Sequence, residues 1–299
     1  MKTFDPVTPL VSTDWLAAHL NDANLRIVDV RWYLLEKDKN GRDEYLRGHI
    51  PGAVFLDIEA DLAPPRGQGP GRHPLPRGQG PGRHPLPRPD AFAETMARAG
   101  IGAETHVIAY DDRGGATAAR LWWLLRYFGH ANVSLLDGGI VRWIAENRPL
   151  QTQVPQVPPA VFVARPQPGR VVNRRIVDAL RQDPNALVLD VRMAERYEGK
   201  VEPVDPRAGH IPGAKNAPIA GNLRAADDPR LLDPAALRAR YDALGASQAE
   251  QVVAYCGSGI NACQAIFAMQ LAGIQALLYE GSWSDWSSDP DAPLAVGAE

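Results

Sequence analysis

Cys256 closes the apolar run Val252-Val253-Ala254-Tyr255 and opens the loop Gly257-Ser258-Gly259-Ile260-Asn261-Ala262. A thiol at that point can serve as a nucleophile. Gly257 and Gly259 let the chain curl without Cβ clashes, so several backbone N–H groups can converge on one anion. The stretch that follows, Cys263 to Leu271, has helical spacing with apolar Ile266, Phe267, Met269 and Leu271. Cys256 is therefore expected between a strand end and a helix start, where the dipole of the helix N-terminus favours thiolate over thiol. A buried structural cysteine fits the same pattern. Phosphate chemistry of the Cys-x5-Arg kind is excluded, because the sixth residue after Cys256 is Ala262.

The elements that would position this loop are written twice. Gly48-His49-Ile50-Pro51-Gly52-Ala53 returns as Gly209-His210-Ile211-Pro212-Gly213-Ala214, and Ile27-Val28-Asp29-Val30-Arg31 as Val188-Leu189-Asp190-Val191-Arg192. Val107 to Asp111 mirrors Val252 to Cys256, and Asp137-Gly138-Gly139 with Trp143 mirrors Glu280-Gly281 with Trp286. Matched landmarks in one order mean a tandem domain duplication, since solenoid repeats are far shorter. Within each copy short apolar segments alternate with helical ones, which predicts an α/β fold: an open, mainly parallel sheet with helices on both faces. Ligands of such sheets bind beyond the carboxyl ends of the strands, which is where Cys256 falls. The expected domains are 1–150 and 171–299, joined by a proline-rich linker at 151–170 in which Val161-Phe162-Val163 forms a short strand. Residues 66–76 are repeated immediately as 77–87, and so much Gly and Pro must form a loop.

Composition narrows the partners. With 299 residues, 45% of them hydrophobic, and a formal charge of -3, the chain is globular and gives no electrostatic case for nucleic acid or an anionic membrane. No basic-plus-apolar leader and no bilayer-length apolar run is present, so a cytoplasmic protein is expected. The two cysteines, Cys256 and Cys263, are poorly spaced for a disulfide and are read as reduced thiols, with Cys263 packing in its helix or acting as a resolving thiol. No metal-spaced cluster exists, and neither metal nor cofactor is expected. His49 and His210 fix turns in this reading. Asp29 and Asp190 form strand-end networks with the arginines two residues on, and Trp122, Trp123, Trp143, Trp283 and Trp286 are expected in core and interdomain packing.

The paired Gly-His-Ile-Pro-Gly-Ala motifs, the Asp-Val-Arg strand ends, the Cys256 loop and the closing Glu280-Gly281-Ser282-Trp283-Ser284-Asp285-Trp286 resemble the two-domain rhodanese family of sulfurtransferases. The resemblance covers nearly the whole chain. It implies two tandem rhodanese-like domains, the first catalytically silent because Asp111 stands where a cysteine would be needed. It also implies a cysteine that cycles through a persulfide, taking sulfur from a small-molecule donor and passing it to a thiol, cyanide or thioredoxin-like acceptor, in a monomer. Thiosulfate-type members carry cations in the loop, whereas mercaptopyruvate-type members carry Cys-Gly-Ser-Gly-Val-Thr. Neutral Gly257 and Ser258 favour 3-mercaptopyruvate, and Asn261 departs from both patterns. Ser258 would contact the donor sulfur or relay a proton, or else tie down its own loop. By the same resemblance Arg196 binds the donor carboxylate. Arg207 is a second candidate or a solvated loop charge, Glu59 and His84 come from the first half, and the duplication makes His73 an equal claimant to His84. A relay module that receives persulfide from a partner protein would use the same residues.

Overall fold

A computed structural model describes residues 8–64 and 82–298. Contacts divide them into two units. One comprises 8–62, 87–167 and 224–231, the other 63–64, 82–86, 168–223 and 232–298. His73 lies outside the described residues.

The first unit runs β1 (Leu10–Val11), α1 (Thr13–His19), β2 (Leu25–Asp29), α2 (Gly41–Arg47), β3 (Val54–Phe55), α3 (Pro89–Arg98), β4 (His106–Tyr110), α4 (Ala118–Tyr127), β5 (Val133–Leu136) and α5 (Gly139–Ala145). Its strands form one sheet in the order β1-β5-β4-β2-β3, every pair parallel. The second unit repeats the plan with β6 (Val171–Val172), α6 (Arg174–Leu180), β7 (Ala186–Asp190), α7 (Ala194–Tyr197), β8 (Lys215–Asn216), α8 (Pro234–Ala243), β9 (Gln251–Tyr255), α9 (Asn261–Leu271), β10 (Leu277–Tyr279) and α10 (Ser282–Trp286). Its parallel order is β6-β10-β9-β7-β8. The fold is α/β, as the alternation of apolar and helical segments predicts.

Each central strand is apolar on both faces because helices cover both. In the second unit Val188, Val253, Tyr255 and Tyr279 pack with Val177 and Leu180 of α6 and with Trp283 and Trp286 of α10. Side chains of alternate residues on these strands point to the opposite face, where α9 is buried along Ala262 to Met269. In the first unit Ile27, Ile108 and Tyr110 pack with Leu16 of α1 and with Ile140 and Trp143 of α5. Ser12 and Asn173 cap α1 and α6 by accepting the N–H groups of Trp15 and Ile176, which sets both helices at the same place in the two copies.

The proline-rich segment departs from expectation. Val161-Phe162-Val163 is not a strand. Only Phe162 is buried, edge-on to Phe92, while Val161 and Val163 face solvent, so one aromatic anchor holds the segment without a ladder. The segment is bound to the first unit at intervals, through Gln151 to His49, Ala160 to Ala97, Arg165 to Phe128 and Gln167 to Tyr127. Among the described residues no helix is long and apolar enough to cross a membrane.

Candidate active site

In the second unit β9 delivers Cys256 to the carboxyl edge of the sheet, buried to 3% exposure. The loop then turns back through Gly259, whose φ of +79° is open to glycine at little cost and brings its Cα against the Glu280 carbonyl. This turn aims the Gly259 N–H at Cys256 Sγ, 3.2 Å away. Helix α9 starts at Asn261 with no side-chain cap. The N–H groups of Ser258, Ile260, Asn261 and Ala262 have no acceptor among the described residues, so the loop beside Sγ is open to an anion. Cys263 donates its S–H to the Gly259 carbonyl at 3.2 Å and pins the turn from below.

Helix α10 fastens the other side of the loop. Trp283 and Ser284 donate their N–H groups to the carbonyls of Cys256 and Gly257, both at 2.9 Å. Ser282 sits at φ +52°, an unfavourable region for a residue with a Cβ. Its Oγ accepts the Cys256 N–H at 3.1 Å and donates to the Tyr279 carbonyl at 2.9 Å, which offsets that strain.

An ordered chain of charges flanks the loop. Asp190 holds Arg192 through both carboxylate oxygens, and Arg192 also donates to the Gly209 carbonyl at 2.6 Å and lies over the Trp283 ring. Although burial lowers the affinity of Arg192 for its proton, the adjacent Asp190 charge reverses this and holds the guanidinium above its ordinary pKa. Glu202 links Arg192 to Arg196, accepting from Arg196 Nη2 at 2.6 Å. Asp205 accepts from Arg196 Nη2 at 3.1 Å and pairs with Arg83. Burial pushes the Asp205 carboxyl up, and the guanidinium of Arg83 pulls it back. Ser258, itself buried, meets His84 with Oγ 2.8 Å from Nδ1.

Cys256, Ser258, His84 and Arg196 thus share one unit and the neighbourhood of one loop. Arg207 is occupied elsewhere, its guanidinium binding the carbonyls of Trp286, Ser287, Pro290 and Ala292 and so holding the tail that follows α10. Glu59 belongs to the first unit, in the turn where its N–H donates to Asp57. Sequence reasoning missed Arg83, Glu202, Asp205 and Ser282. A signal for Arg83 was its place beside His84; for Ser282 it was the match of Glu280-Gly281-Ser282 to Asp137-Gly138-Gly139. A cavity of about 730 Å³, lined by Arg174, Tyr279, Asp285 and Asp289 among others, takes in neither Cys256 nor Arg196.

The first unit carries the same loop in a different state. Asp111 follows β4 as Cys256 follows β9, and its carboxylate accepts N–H bonds from Arg113, Gly115, Thr117 and Ala118 at 2.7 to 2.9 Å. Its own cradle is filled. A rhodanese-like domain model matches residues 12–146 and again 174–289. The chain belongs to the rhodanese-like family. This tandem rhodanese is 40% identical over 292 residues to a probable 3-mercaptopyruvate sulfurtransferase of Pseudomonas aeruginosa, covering 96% of this chain and 98% of the relative. It is also 40% identical over 274 residues to the putative thiosulfate sulfurtransferase SseB of Mycobacterium tuberculosis, covering 91% and 90%. The crystal structure of SseA from Escherichia coli, from work on the rhodanese fold of 3-mercaptopyruvate sulfotransferases, matches it with a TM-score of 0.79 at 35% identity. The match covers 93% of this chain and all of SseA. The two-domain rhodanese described here is a sulfurtransferase.

Proposed function

We propose that this rhodanese moves sulfur from 3-mercaptopyruvate to a thiol acceptor through a persulfide on Cys256. The observation that carries the reading is the unfilled cradle: one N–H already on Sγ and four more without an acceptor among the described residues. Preorganised amides of this kind stabilise the outer sulfur of a persulfide after transfer.

In the first half-reaction the Cys256 thiolate attacks the donor sulfur. The C–S bond breaks and its electron pair goes to carbon, giving the enolate of pyruvate, while Cys256 becomes Cys256-S-SH. The enolate takes one proton to leave as pyruvate. Ser258, hydrogen-bonded to His84, is the group we assign to deliver it. In the second half-reaction an acceptor thiolate attacks the outer sulfur, and the Cys256 thiolate is regenerated. Arg196 offers the donor carboxylate a guanidinium held in place by Glu202 and Asp205. The neutral loop favours this donor. With thiosulfate the same attack would release sulfite, and the thiosulfate sulfurtransferase name of one relative keeps that donor as the second reading. Neither Cys256 nor Cys263 is in a disulfide, which suits the reducing cytoplasm we propose as the setting.

Steady-state kinetics with both donors test the proposal. The expected result is a kcat/KM for 3-mercaptopyruvate at least about tenfold above that for thiosulfate. A reversed ratio would overturn the choice of donor.

A further inference from the structure

The Cys256 loop contains no cation, yet two guanidinium groups converge on it from elsewhere in the same unit. If residue 257 had a Cβ, that atom would lie 3.1 Å from Arg83 Nη2, 3.5 Å from Arg196 Nη1 and 3.8 Å from Arg196 Nη2. Gly257 is covalently joined to Cys256, so both guanidinium groups lie against the first residue of the nucleophile loop. The missing side chain at 257 leaves room for them.

The two arginines differ in how far their donors are satisfied. Arg196 uses Nε and Nη2 on Glu202 and Asp205. Arg83 uses Nη1 on Asp205, while its Nε and Nη2 are buried and have no hydrogen-bond partner among the described residues. Charged donors withdrawn from water without an acceptor are costly, and such an orphan calls for an explanation. Asp205 joins the two groups, since it binds Arg83 through Oδ1 and Arg196 through Oδ2. The backbone of Arg83 is fixed as well, its N–H donating to Ser284 Oγ at 3.0 Å on the helix that fastens the loop. A half-buried, fixed guanidinium whose Nε and Nη2 have no partner among the described residues, beside the nucleophile loop, is suited to a bidentate oxyanion.

We infer that Arg83 is a donor-binding and specificity-determining residue, which together with Arg196 holds the anionic end of the sulfur donor. The inference rests on the proposed sulfur-donor chemistry and adds a chemical requirement: the donor must carry a carboxylate or sulfonate close to its transferable sulfur. Arg83 stands in for the cation that the loop lacks. It comes from the second copy of the repeated Arg-Gly-Gln-Gly-Pro-Gly-Arg-His-Pro-Leu-Pro segment, so the repeat itself ends in the site.

The test compares wild type, Arg83→Gln and Arg83→Lys on three donors: 3-mercaptopyruvate, its methyl ester and thiosulfate. For Arg83→Gln the expected result is a KM raised about tenfold or more on both anionic donors, with kcat changed by less than about threefold. The KM for the ester should stay within about twofold of wild type, because the ester has no carboxylate for Arg83 to hold. Arg83→Lys keeps the charge and loses the fork, so its KM should fall between the two. An unchanged KM on the anionic donors would overturn the inference. Equal losses on acid and ester would do so too, since they would make Arg83 a support for Asp205 alone. If the wild type uses thiosulfate and ignores 3-mercaptopyruvate, the proposed donor fails, while the effect of Arg83→Gln on thiosulfate still decides the role of Arg83.

Discussion

The two halves of this chain build the same amide cradle and leave it in opposite states. In the first, Asp111 fills it with a carboxylate belonging to the loop itself, taking four N–H groups and the Thr117 hydroxyl. In the second, Cys256 takes one N–H and leaves the rest open. The same backbone is therefore filled by its own carboxylate in one half and left open in the other. A cradle that supplies its own anion gains stability and gives up ligand binding. The pair also differs at α5 and α10. Gly139 and Ser282 both have positive φ, near +55° and +52°, but only Ser282 has a hydroxyl to accept the N–H of the residue at the strand end. The strained residue belongs to the half with the open cradle. Four residues beyond the matched strand-end arginines the halves diverge again, with Arg196 in one and the exposed Leu35 in the other.

The largest effect is expected from moving the thiol: Cys256→Ser should lower sulfur transfer by about 10^4-fold, and adding Asp111→Cys to it should restore nothing, because Leu35 offers no guanidinium. Pyruvate release from the double variant would show that a cysteine in the cradle suffices. Next is stability. Asp111→Ala leaves four N–H groups, two of them buried, without their acceptor and should cost about 3 kcal/mol in urea unfolding, whereas Cys256→Ser should cost less than about 1 kcal/mol. Equal losses would mean that the two cradles are filled alike. The smallest effect concerns Ser282→Gly, which relieves the strained φ and removes the bond to the Cys256 N–H. Stability should stay within about 1 kcal/mol while kcat/KM falls about tenfold. An unchanged kcat/KM would make Ser282 a packing residue.

Much of this was legible in the sequence, and the part that was not has a physical reason. The duplication, the parallel α/β plan and the strand–loop–helix passage at Cys256 follow from local patterns: apolar alternation, glycines at a turn and helical spacing after Cys263. Arg207 and Arg83 are the instructive cases. Both are arginines in Pro-containing loops, and nothing local says that one will collect four tail carbonyls while the other reaches Gly257. Those outcomes depend on which distant backbone the loop meets. Val161-Phe162-Val163 has the composition of a strand, but it joins no ladder among the described residues, and Phe162 anchors it edge-on to Phe92.

The central claim is that the open cradle of the second half holds a sulfur on Cys256. Intact-protein and peptide mass spectrometry after brief exposure to 3-mercaptopyruvate, without acceptor, tests it most directly. The account predicts a mass gain of one sulfur atom, located on the peptide that contains Cys256, lost on adding a thiol and absent from Cys256→Ser. Pyruvate release with no sulfur bound, or with the sulfur on Cys263, would contradict it.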